Sequence, residues 1–138
     1  MIDCLILGDS IAVGTAQARP ECVAYAKVGI NSSQYNKKYQ QEFIGNTVVI
    51  SLGSNDHQYV KTKKELISLR NRIKAEKVYW VMPAGNSKTS GVPIATIQEY
   101  VEDVANKYKD WIVIIPSLSH DGIHPTSKGY KRIGAITK

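Results

Sequence analysis

Short apolar runs alternate with longer stretches of helical spacing along the chain. Residues 2–7 predict a first strand, and residues 10–18 a short helix ended before Pro20. Residues 22–27 read as a second strand, 32–43 as a helix opening after Asn31, and 47–52 as a third, apolar strand. Leu66, Leu69 and Ile73 stand at i, i+3 and i+7, which predicts an amphipathic helix over 62–74. Residues 78–82 follow as a strand that Pro83 stops, and 84–92 as a polar, glycine-containing loop. Pro93 opens a helix over 93–108, with Ile97, Tyr100, Val101 and Val104 on one face. Residues 111–115 form the fifth strand, closed by Pro116, and a last helix runs from about Thr126.

Alternating strands and helices, with β-branched runs in the strands, predict an α/β fold: a parallel sheet covered on both faces. At 138 residues the chain fits one domain, 1–138, in three layers. In open sheets of this kind ligands bind beyond the carboxyl ends of the strands. The chemically distinctive residues fall there, after strands one, two, three and five.

Leu7-Gly8-Asp9-Ser10 sits where the first strand becomes a helix. A serine at that corner presents its hydroxyl above the sheet, with its own N–H at a helix start; a helix cap is the plainer role. After the fifth strand comes Asp121-Gly122-Ile123-His124-Pro125. An acid three residues before a histidine, in a short turn, can reach the imidazole and orient it as a base. Gly29 follows the second strand, and Gly53-Ser54-Asn55-Asp56 the third. The N–H groups of Ser10 and Gly29 and the Asn55 amide could together hold an oxyanion. Asp56 can anchor turns, while His57 and Tyr59 are candidates to line a substrate pocket walled by 57–61 and 84–92.

This ordered set resembles the SGNH hydrolases of the GDSL esterase and lipase group. Their blocks are a Gly-Asp-Ser motif, a glycine, a Gly-x-Asn-Asp and a late Asp-x-x-His. The resemblance spans nearly the whole chain, with Ile11 standing where the group's leucine does. It implies a flavodoxin-like sheet in order 2-1-3-4-5 and catalysis by Ser10, Asp121 and His124. Ser10, Gly29 and Asn55 would form the oxyanion hole. The implied activity is hydrolysis of short acyl esters, acetyl above all, on a carbohydrate. Lysophospholipase or thioesterase activity, and a silent glycan-binding module, are the alternatives.

No metal or organic cofactor is expected. His120 and His124 have metal-like spacing, but Gly122 and Pro125 argue against the helix such a pair needs. A glycine-rich dinucleotide turn fails because Ser10 stands where glycine is required.

The net charge of +6 fits a soluble surface or attraction to an anionic ester substrate. The lysines are spread without a nucleic-acid motif, so nucleic acid is not indicated. The apolar runs fall well short of the roughly 18 residues a membrane helix needs. Residues 1–3 lead into the first strand without a basic stretch or cleavage site, giving a cytoplasmic expectation by default. A phage-encoded or larger assembly acting on a cell envelope is the other setting. Cys4 reads as an inert core thiol and Cys22 likewise, with a bridge between neighbouring strands as the open alternative. Trp80 and Trp111 are both expected in the core.

Overall fold

A computed structural model describes residues 2–85 and 91–138. The strands are β1 (Ile2–Gly8), β2 (Val23–Ala26), β3 (Phe43–Ser51), β4 (Ile73–Val81) and β5 (Trp111–Val113). They pair in parallel in the order β2-β1-β3-β4-β5. The helices among the described residues are α1 (Ser10–Ala18), α2 (Ser32–Lys38), α3 (Thr62–Arg70), α4 (Ile94–Tyr108) and α5 (Ser127–Ile136). None is long and apolar enough to cross a membrane.

The helices divide between the two faces of the sheet. Leu5, Leu7, Val48, Ile50, Val78 and Trp80 point to the face covered by α2, α3 and α4, meeting Tyr35, Leu66, Leu69, Val101 and Val104. Ile6, Val49, Val81 and Val113 point the other way, against Ile11 and Ala12 of α1 and Ile133 of α5. Successive strand residues thus feed opposite cores, which is why the strands read as unbroken apolar runs.

Several boundaries differ from the sequence reading, and the fifth strand, expected over 111–115, ends at Val113. The helix expected over 32–43 ends at Lys38, and the one expected over 62–74 ends at Arg70. Phe43 and Ile73, read as helical, instead open β3 and β4 and pair with each other in register. Both are buried, so packing within the sheet outweighs their helical spacing. Trp80 is buried, and its Nε1–H donates to Asp110 Oδ2 at 2.9 Å. Trp111 departs from the core expectation: it is 64% exposed, because β5 is an edge strand.

The expectation of inert thiols is also corrected, since Cys4 and Cys22 are joined in a disulfide. The register explains it. Leu5 pairs with Val23, so the residue before each meets across neighbouring strands with Cα atoms 4.9 Å apart, inside the range a bridge can span. Such bonds persist in oxidising surroundings. Closing a loop of 18 residues in the unfolded chain favours folding by about 3 kcal/mol. Reduction, or Cys22→Ser, is therefore expected to lower the urea midpoint by that free energy, and an unmoved midpoint would refute the bridge.

Candidate active site

The upper edge of the sheet is assembled where β1 meets β3. Gly8 has φ +142°, and a Cβ there would lie 1.8 Å from the Ser51 carbonyl oxygen, so only glycine fits. Asp9 N–H donates to that same oxygen at 3.0 Å. The Asp9 side chain caps α1: Oδ1 accepts from Ile11 N–H at 3.0 Å and from Ser51 Oγ at 3.2 Å. The capping role considered for Ser10 thus belongs to Asp9. Ser10 is instead the first residue of α1, where its N–H lacks an i−4 helical partner and its hydroxyl is free to reach outward.

Ser10 Oγ lies 2.8 Å from His124 Nε2, and His124 Nδ1 lies 2.7 Å from Asp121 Oδ2. The network assigns the tautomer: Nδ1–H donates to the carboxylate, leaving Nε2 to accept from the serine hydroxyl. Asp121 is itself held from below. Its Oδ1 accepts from Ser119 Oγ at 2.9 Å and from the N–H groups of Ile123 and His124, both at 2.8 Å. The His124 backbone N–H, then the His124 ring and the Ile123 N–H, hold the Asp121 carboxyl well below the usual carboxylate range. Ser119 N–H to His124 O (2.9 Å) and Thr126 N–H to Ser117 O (2.9 Å) close the turn, and Thr126 caps α5 through Gly129 N–H.

Gly29 occupies the third position of a turn closed by Ile30 N–H to Lys27 O, with φ +80°, where glycine is favoured. Its N–H has no hydrogen-bond partner among the described residues. Lys27 N–H donates to Gly8 O at 2.9 Å, which sets this turn beside the end of β1. Asn55 comes from the loop after β3, and its Nδ2 donates to Ile30 O at 3.1 Å. One of the two amide hydrogens thus fixes the side chain to the Gly29 turn, and the second remains to donate.

Asp56 is buried, and it fastens this arrangement. Its Oδ1 accepts from Ser32 N–H at 2.8 Å, and its Oδ2 accepts from Ser32 Oγ at 2.6 Å and Thr62 Oγ1 at 2.7 Å. One carboxylate thus ties the first residues of α2 and α3 to the loop that carries Asn55. Sequence reading singled out Asp56 as a turn anchor but not its partners. Ser32 and Thr62 each stand at a helix start, which was the available signal.

His57 and Tyr59 do not join the serine–histidine pair. They line a cavity of about 560 Å³ between α2 and α3, with Tyr59 N–H donating to His57 Nδ1 at 3.2 Å. Of the expected wall over 84–92, residues 86–90 lie outside the described residues.

Asp9 carries the second perturbed carboxyl. Burial pushes it from an ordinary value near 3.8 up to about 7, against the lowering effect of Ile11 N–H and the Ser51 hydroxyl. Its Oδ2 has no partner among the described residues.

No family sequence model and no curated protein matches the chain. Solved structures do. A member of the lipolytic G-D-S-L family from Veillonella parvula superposes with a TM-score of 0.70 at 12% identity, covering 98% of this chain and 95% of that one. An acetylxylan esterase from Geobacillus stearothermophilus gives 0.64 at 17% identity, covering 96% and 90%. The C-terminal catalytic domain of a peptidoglycan O-acetyltransferase from Streptococcus pneumoniae gives 0.58 at 20% identity, covering 98% and 91%. The chain therefore shares its fold with these proteins.

The raised Asp9 carboxyl sets a pH dependence of stability. The unfolded chain releases this proton near pH 4 and the folded chain near 7, so between them the unfolded state binds fewer protons. Folding free energy should fall as pH rises through that window, by at most roughly 4 kcal/mol, and level off above it. Urea midpoints from pH 4 to 8 measure this. Asp9→Asn is expected to flatten the decline, and an unchanged slope in that variant would place the effect elsewhere.

Proposed function

We propose that this chain is a serine esterase that removes short acyl groups, acetyl foremost, from a carbohydrate by way of an acyl-enzyme on Ser10. The observation that carries the reading is the continuous hydrogen-bonded line from Ser10 Oγ through His124 to an ionised Asp121.

In the first step Ser10 Oγ attacks the ester carbonyl carbon while His124 Nε2 takes its proton. The carbonyl oxygen becomes an oxyanion, held by the N–H groups of Ser10 and Gly29 and the free Asn55 amide hydrogen. Collapse breaks the bond to the alcohol, which leaves with the proton from His124. A water then gives its proton to the same nitrogen and attacks the acyl carbon, releasing the acid and restoring the Ser10 hydroxyl. Asp121 stabilises the imidazolium in both halves without itself being protonated.

Two considerations favour a small acyl group on a sugar. Fold neighbours include an acetylxylan esterase and a peptidoglycan O-acetyltransferase, both named for acetyl groups on carbohydrate. The cavity beside Gly29, about 370 Å³, is bordered by Lys27, Gln34 and Lys38 along with Val28 and Ile30, a wetter lining than a long acyl chain needs.

Hydrolysis of p-nitrophenyl acetate, butyrate and octanoate tests the reading. Acetate is expected to turn over fastest, and Ser10→Ala to lose at least about 1,000-fold in kcat while remaining folded. A preference for octanoate would point instead to a lysophospholipase or thioesterase. A folded protein that neither turns over esters nor labels at Ser10 with a fluorophosphonate would refute the enzyme reading. Asn55→Ala should lower kcat by about 100-fold or more with little change in KM, as expected for a donor used mainly in the transition state.

A further inference from the structure

Five lysines border two neighbouring cavities on the α2 side of the sheet. The cavity between α2 and α3 is bordered by Lys37, Lys61 and Lys64, and the one beside Gly29 by Lys27 and Lys38. Gln34 borders both, so the two form one track that leads from the Gly29 turn along α2. Glu65 is the acid on this track, and its Oε1 already accepts from Asn36 Nδ2 at 3.1 Å.

Ion pairs hold two lysines elsewhere on the chain. Lys63 pairs with Asp103 at 3.3 Å and Lys74 with Glu42 at 3.2 Å. Lys27, Lys37, Lys61 and Lys64 make no ion pair among the described residues. Two of them also sit where they cost helix stability. Lys61 is the N-cap residue of α3 without a side-chain capping bond, and Lys64 lies in its first turn. The partial positive charge of a helix start disfavours cations there, by up to about 1 kcal/mol each. Such a breach of a local rule at the mouth of a cavity points to a bound anion. Beside them stands Tyr59, 82% exposed, its ring meeting His57 edge-on at 6.0 Å, a flat apolar surface in an otherwise charged groove.

We infer that this track binds the alcohol portion of the substrate and that this portion is a polyanionic glycan, carrying carboxylates or phosphates along the chain. Tyr59 would take a sugar face while Lys37, Lys61 and Lys64 meet successive negative groups beyond the scissile ester. Lysine suits this task, because a flexible point charge follows a repeating anion without demanding the fixed two-pronged geometry of arginine. The inference rests on the esterase reading for the bond that is broken, but not for the binding itself.

Binding and turnover are therefore measured separately. Affinity electrophoresis of the folded chain in gels holding polygalacturonate, a glycerol-phosphate polymer or neutral xylan reads binding without catalysis. Retardation by either anionic polymer and not by xylan is expected, weakening several-fold between about 0.02 and about 0.3 M NaCl as the charges are screened. Which polymer retards the chain assigns carboxylate or phosphate. Lys61→Gln/Lys64→Gln should remove most of the retardation, whereas Lys74→Gln/Lys107→Gln, the same change of charge elsewhere, should keep it. Equal loss in both double variants would reduce the effect to net charge and overturn the inference, as would no retardation by any polymer. In turnover, the ratio of kcat/KM on acetylated polygalacturonate to that on acetylated xylan should fall at least about fivefold in Lys61→Gln/Lys64→Gln. Ser10-dependent hydrolysis of p-nitrophenyl acetate without polymer binding would leave the esterase reading intact and sink this one. Polymer binding without hydrolysis would do the reverse.

Discussion

The close approach of β1 to β3 at Gly8 and Ser51 is the contact on which the candidate site depends. With no Cβ at Gly8 the two backbones meet, and Ser51 offers its carbonyl to Asp9 N–H and its hydroxyl to the Asp9 carboxyl. That fixes the direction in which α1 leaves the sheet. The Ser10 hydroxyl then projects to the edge where the turn after β5 delivers His124, 114 residues later in the chain. A bulkier residue at Gly8 would push β1 from β3 and turn Ser10 away from its partner.

Two carboxyl groups near this edge are driven in opposite directions by their surroundings. Asp9 is enclosed, receives few donors for its charge and keeps its proton to about pH 7. Asp121 is open to solvent, surrounded by N–H and O–H donors, and remains ionised. The first acts as a structural cap under Ser10, and the second would provide the negative charge that the proposed imidazole base requires. Environment and not residue type divides the roles, as in sites where paired acids carry separate duties.

Asp56 shows how the rest of the site is held in register. It gathers Ser32, Thr62 and the Asn55 loop into one buried knot, so α2 and α3 cannot shift without moving the proposed oxyanion donors. The groove that opens between these helices is consequently built on the same fastening as the candidate site. On the proposed reading, substrate position along α2 and geometry at the scissile bond would be linked through rigid elements.

Much of this was legible in the chain itself. The unbroken apolar runs determined a parallel sheet buried on both faces, and glycine, acid, serine, asparagine and histidine at strand ends marked one candidate edge. Those are local properties, set by side-chain period and turn chemistry. What only the tertiary structure decided concerns partners far apart in sequence. Phe43 and Ile73 left their helical pattern because each is buried by the other's strand. Trp111 is exposed because β5 happens to be the edge. Cys4 and Cys22 became a disulfide through the register of β1 with β2, which no spacing of cysteines reveals. The same holds for three lysines: Lys37, Lys61 and Lys64, dispersed in sequence, border one groove because α2 and α3 pack side by side. Register and helix packing are set by the summed burial of many residues, and so appear only when the chain is folded.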